Sequence, residues 1–234
     1  MRLNLNLSFF IVLLALFGMQ ANIAVAAQED AQTLIIEQSN QLVTALKEQS
    51  AAIKADDQIA YKLIEEIVLP HVDFNRVARL VLGKHWRSAN AEQRQRFTDE
   101  FRLFLIRIYV TAMVEFSDQI VSHADNVKYL PFRNSNPDYV SVRMQITLPD
   151  RPAMQVNYSL YQNGAASSWK IYDLSVEGVS LATTYRSSFA SQIRRGGIDA
   201  LINKLAERNA EAGKEGQAKP AEAATNNENN ATSN

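Results

Sequence analysis

The sequence predicts an α+β domain in which helices gather around an antiparallel sheet with one packed and one wet face. Three observations carry this. Apolar residues recur at helical spacing from Gln28 to Phe116. From Tyr139 to Leu160 they alternate with polar residues, and helical spacing returns after Gly178.

Taken in order, Ile35, Leu42, Val43 and Leu46 give the stretch from Gln28 to Glu48 the single apolar side of a surface helix. A second helix follows Asp57, with Ile59, Leu63 and Ile67 four apart, and Pro70 stops it. Asp73 caps a short third helix carrying Phe74, Val77, Ala78 and Val81, which Gly83 closes. The fourth opens on a capping box, with Asn90 as cap and Gln93 three residues on. Its first turns put Phe97 and Phe101 on one face. Between Leu103 and Phe116 only Arg107, Thr111 and Glu115 are polar, in one narrow stripe. A helix apolar over the rest of its circumference must be covered nearly all round, by packed protein or in part by a bound apolar ligand.

An early strand is expected around Asn126 to Phe132. The next runs from Tyr139 to Leu148, with Val140, Val142, Met144 and Ile146 alternating against Ser141, Arg143, Gln145 and Thr147. Pro149-Asp150-Arg151-Pro152 turns the chain into Met154, Val156, Tyr158 and Leu160, which repeat the alternation. Asn163-Gly164 signals a hairpin, and Trp169 to Val176, with Leu174, forms the following strand. Helices then span Ser180 to about Arg195 and Ile198 to Leu205. Between them, Arg194-Arg195-Gly196-Gly197 is an ordinary helix C-terminal signal.

Both ends stand apart from this body, residues 27–206. Arg2, the apolar run Phe9 to Phe17 and Ala24-Val25-Ala26 read as an export signal, residues 1–26, cut after Ala26. The apolar run is shorter than the roughly 20 residues a membrane-spanning helix needs. From 207 to 234 there is no large apolar residue, so a disordered tail is expected.

Charge and chemistry exclude several function classes. The chain has 24 basic and 25 acidic residues, a net charge of −1, which argues against a strongly cationic nucleic-acid binder. There is no cysteine, hence no disulfide, thiolate metal site or cysteine nucleophile. His71, His85 and His123 lack metal-ligand spacing. No metalloprotease, nucleophile-elbow or phosphate-loop motif is present, and Ser180 reads as a helix cap. The Asp56-Asp57 and Glu65-Glu66 pairs read as solvated faces or caps. Residues 71–110 carry eight basic against four acidic side chains. Among them, Arg76, Arg79, Lys84 and Arg87 are candidates to meet an acidic partner or a phosphate. The residues alone lead to an exported, neutral domain that binds something apolar.

Two runs go further: VDFNRVARLVLGKHWRSANAEQRQRFTDEF (72–101) and SWKIYDLSVEGVSLATTYRSSFASQIRRGGIDALINKL (168–205). With W-K-I-Y-D, E-G-V-S and Y-R-S-S-F in one order, the chain resembles the MlaC family, also called toluene-tolerance proteins, from about Gln28 to Leu205. The resemblance implies an NTF2-like curved sheet wrapped by helices around a hollow for phospholipid chains. It implies a periplasmic carrier between an MlaD-containing inner-membrane ABC transporter and an MlaA–porin complex at the outer membrane, maintaining outer-membrane lipid asymmetry. Phospholipid is then cargo; no cofactor, metal or catalytic residue is implied.

The lining expected from this is Phe101, Leu105, Ile108, Tyr109, Met113 and Phe116 on the fourth helix. Facing it are the rows Val140, Val142, Met144, Ile146 and Met154, Val156, Tyr158, Leu160, with Leu174. For each, ordinary core is the alternative. Arg76, Arg79, Lys84 and Arg87 are expected to dock on the inner-membrane transporter. Two rivals remain: an enzyme on the same fold, for which Asp173 is the obvious strand carboxylate, and a chaperone for outer-membrane proteins.

Overall fold

Side-chain caps start two helices of the first half, at Asp73 and at Asn90. The computed structural model describes residues 19–131, 136, 138–149, 152–163 and 168–228, with side chains described between 30 and 211. Helix α1 (Met19–Glu48) breaks at Gln49 into the short α2 (Ser50–Ala55), and α3 (Gln58–Ile67) follows. A 3-10 turn at Leu69–His71 contains Pro70. The Asp73 side chain accepts from the Arg76 amide at 2.9 Å to start α4 (Phe74–Leu82). Gly83 ends α4 at φ 54, a left-handed value that favours glycine, and α5 (Lys84–Ser88) follows it directly. The capping box forms in full: Gln93 N–H donates to Asn90 Oδ1, and Asn90 N–H donates to Gln93 Oε1. It starts α6 (Ala91–Glu115), which α7 (Ser117–Ser122) extends after a bend at Phe116.

The sheet is an antiparallel meander in the order β1-β2-β3-β4-β5. Its strands are β1 (Val127–Tyr129), β2 (Tyr139–Ile146), β3 (Met154–Tyr161), β4 (Lys170–Val176) and β5 (Val179–Ser180). Val142 pairs with Tyr158 and Tyr158 with Leu174, so the predicted inward rows share one face. A bulge at Ser159–Leu160 shifts the register against β4. β5 is a strand the periodicity does not reveal, because it is two residues long. It returns through Glu177-Gly178, both at positive φ (50 and 78), the conformation of a tight hairpin.

α8 (Leu181–Glu228) closes the fold and kinks at Gly197, where φ is 81, so the predicted break after Arg195 is present. The predicted leader and most of the predicted tail lie outside the residues whose side chains are described, as do the turns at 150–151 and 164–167. The first tail residues do make contacts: the Arg208 carbonyl accepts from Arg107 at 2.8 Å, and Asn209 donates to the Glu100 carbonyl at 3.0 Å.

Three apolar clusters hold these parts. One joins α4, the first half of α6 and α8 through Phe97, Phe101, Phe104, Phe189 and Ile202. A second seats Ala31 and Ile35 of α1 on Val140, Val142, Leu160 and Trp169. The third packs Leu46, Ile53, Ala60 and Ile64 against Val110 and Met113. Thus α1 meets the sheet at β2, and α4 and α8 meet it at β4, while α6 packs on α3, α4 and α8.

Candidate functional site

At 100° per residue, α6 divides into three sides. Val110, Met113 and their neighbours Ile106 and Val114 face the third cluster. Thr111 and Glu115 are exposed on the polar stripe, where Arg107 donates to the Arg208 carbonyl. The remaining side, Leu105, Ile108, Tyr109, Ala112 and Phe116, is apolar and only partly covered. Ile108 is 37% exposed and Phe116 45% exposed. Large apolar side chains left open in a row along a helix mark a binding surface more often than chance exposure.

The sheet supplies a matching surface. Along the predicted inward face, Ile146, Met154, Tyr158 and Leu174 are half-buried, while Met144 and Val156 are buried. Tyr158 is the most informative. Burial, with Tyr129 beside it, pushes its phenol up to about 12. Yet the side chain keeps open surface, and its hydroxyl makes no hydrogen bond among the described residues without being sealed in. Tyr158 also packs against the α1–sheet cluster, at its edge. Tyr109, on the open side of α6, has its phenol likewise pushed up to about 12, by burial first and then by Tyr185 of α8 and Asp173 of β4.

The structure divides the predicted lining into residues packed in the core clusters and residues left partly open. Phe101 (1% exposed) is ringed by Phe97, Tyr185 and Phe189, with centroids 5.3–5.6 Å away. Met113 is covered by the α1–α3 cluster. Val140, Val142 and Leu160 lie shut beneath Ala31 and Ile35; Val142 is 0% exposed. These five are core, because α1 crosses the upper sheet and the α2–α3 pair backs α6. The clefts described on the surface are not lined by the predicted residues of either group.

The basic residues are also redistributed. Arg76 is not a free docking charge: its guanidinium lies among Tyr139, Tyr161 and Tyr172, at 5.3, 3.9 and 4.8 Å from their ring centres. It donates to Tyr139 Oη at 3.2 Å, and Tyr161 Oη donates to Asp73. Three strands supply that cage, which periodicity along one helix cannot show. Arg79, Lys84 and Arg87 are exposed as expected. Arg79 and Arg87 line a cleft of about 790 Å³ together with Arg186 and Trp86, which the sequence reading did not place with them. Arg186 lies in the Y-R-S-S-F run, which was the one signal available for it.

Asp173, the carboxylate the enzyme reading needs, is committed elsewhere. Its Oδ2 accepts from Ser180 Oγ at 2.6 Å and its Oδ1 from the Ala182 amide at 3.2 Å. Ser180 Oγ in turn accepts from the Thr183 amide at 3.1 Å, the cap expected of it. His71 is held below its ordinary pKa by burial and by Lys170. His123 bonds locally to the Gln119 carbonyl at 2.8 Å. Among the described residues no group of histidine and carboxylate side chains could hold a metal ion, and no helix is long and apolar enough to cross a membrane.

Comparison with known proteins gives a consistent set. The family model described as MlaC protein matches residues 37–207. The intermembrane phospholipid transport system binding protein MlaC of Haemophilus influenzae is 25% identical over 180 residues, 76% of this chain and 82% of that protein. The toluene tolerance protein ttg2D of Pseudomonas putida is 27% identical over 190 residues, 81% and 83% of the two chains. A phospholipid-binding protein from Ralstonia solanacearum, solved in complex with a phospholipid, superposes with a TM-score of 0.66 at 28% identity. The match covers 78% of this chain and 98% of that one.

Proposed function

Because the chain belongs to the MlaC family, we propose that it is a periplasmic phospholipid carrier that shuttles lipid between inner- and outer-membrane Mla complexes and so sustains outer-membrane lipid asymmetry. The observation that carries the reading is the pair of partly open apolar surfaces, the Leu105–Phe116 side of α6 and the Tyr158–Leu174 part of the sheet. Acyl chains occupy the space between them. The phospholipid in the Ralstonia protein supports the same cargo here.

The physics requires such a hollow. Each buried methylene is worth about 0.8 kcal/mol, so two chains of about 14 methylenes would lose roughly 22 kcal/mol on entering water. Escape into solvent at that cost is too slow to serve transport. The lipid must leave at a docked partner, and the MlaD-containing transporter and the MlaA–porin complex are the partners proposed.

Organic extraction of protein purified without detergent tests the reading. About one phospholipid per chain is expected. Protein that yields no lipid but retains unfolded porin would favour the chaperone instead.

A further inference from the structure

Away from the apolar surfaces, at the Tyr161 end of β3 and so opposite Met154, lies the cleft of about 790 Å³. Arg76, Arg79, Arg87 and Arg186 all line it, with Trp86 on its wall and Asp73 as its one carboxylate. That carboxylate is already engaged, accepting from the Arg76 amide and the Tyr161 hydroxyl. None of the four guanidiniums forms an ion pair among the described residues. The side chains of Arg79 and Arg87 donate no hydrogen bond among the described residues either. Arg186 is held in place by its Nε–H, which donates to the Leu80 carbonyl at 2.7 Å, leaving the rest of its fork open. Room for it comes from Gly83, where an added Cβ would stand 3.2 Å from Arg186 Cδ.

Concentrating four guanidiniums in a cleft whose single carboxylate is already engaged is unfavourable unless an anion completes it. The shape selects the anion. A carboxylate offers two oxygens in one plane and a single charge, whereas a tetrahedral phosphoryl group presents its oxygens in several directions with more charge and so meets forks arriving from several sides. We propose that this cleft is a binding site for a phosphoryl group. It is a second site, independent of the apolar hollow, and an acyl chain has no place in it.

The indole N–H signals of the protein's two tryptophans report on it in a ¹⁵N spectrum: Trp86 lines the cleft, while Trp169 is buried beneath α1. The titrants are inorganic phosphate, the soluble lipid headgroup glycerophosphoglycerol, and polyglutamate as a carboxylate control. A saturable shift of the Trp86 signal with either phosphoryl probe, Trp169 staying still, is expected. Inorganic phosphate alone sufficing identifies free phosphate as the source, and a response only to the headgroup identifies lipid. Arg79→Gln/Arg87→Gln should weaken the response about tenfold or more, the loss of one charge-assisted bond, without altering lipid content or the fold. Arg186→Lys, which keeps the charge and loses the fork, should weaken it too. No saturable response, an unchanged response in the double variant, or polyglutamate binding as well as phosphate would each overturn the assignment. Lipid content, measured on the same samples, reports on the carrier reading separately.

Discussion

The guanidinium of Arg76 lies 3.9 Å from the centre of the Tyr161 ring, and the hydroxyl of that same tyrosine donates to Asp73, the residue that caps the helix carrying Arg76. One arginine thereby ties α4 to the ends of β2, β3 and β4. Arg76→Ala should lower stability by about 1–3 kcal/mol, since a stacked, hydrogen-bonded cation is lost from a partly covered site. Arg79→Ala, three residues on and exposed, should stay within about 0.5 kcal/mol of the parent. Thermal unfolding of the two variants checks this, and equal melting temperatures would contradict it.

Core and hollow can be separated by adding bulk. Val142→Trp should overpack the α1–sheet contact and cost roughly 1–3 kcal/mol or more. Ile108→Trp, on the open side of α6, should keep a cooperative melt while bound lipid per chain falls. Ile108→Trp that unfolds, or that retains its full lipid, would remove the α6 side from the lining.

Asp173→Ala should cost about 1–2 kcal/mol, the usual loss on removing a helix-capping side chain. Lipid content should be unchanged, because both carboxylate oxygens point at the start of α8. A variant as stable as the parent would show that the cap is not what holds Asp173 in place.

Much of this was legible because it is local. Asp73, Asn90 with Gln93, and Ser180 announce helix starts through bonds spanning three residues, and each bond is present. Alternation likewise put Val140 to Ile146 and Met154 to Leu160 on one face. It could not say what covers that face. The apolar side of α1 shows that it must bury something, yet only the tertiary arrangement seats Ala31 and Ile35 on Val142 rather than on the lower strands. The open α6 side was visible only as part of an apolar circumference whose other side is core. The Arg76 cage and Arg186 escaped for the same reason: their partners lie 63 to 106 residues away.

Alkaline pH should probe Tyr158. An unfolded tyrosine titrates near 10, and the folded Tyr158 pKa is raised to about 12. The raised value means the contribution of neutral Tyr158 is fully present below pH 10 and is lost as pH climbs from about 10 through 12. The melting temperature of the parent should therefore fall more steeply over that window than that of Tyr158→Phe. Parallel curves would place Tyr158 in contact with bulk water.

The central claim is that the space between the Leu105–Phe116 side of α6 and the Tyr158–Leu174 part of the sheet holds phospholipid, and native mass spectrometry of the mature protein tests it most directly. A mass excess matching one phospholipid on most molecules is expected, restored after delipidation when the protein is incubated with phospholipid vesicles and reduced in Ile108→Trp. Empty protein across several detergent-free preparations, with no uptake from vesicles, would contradict the account.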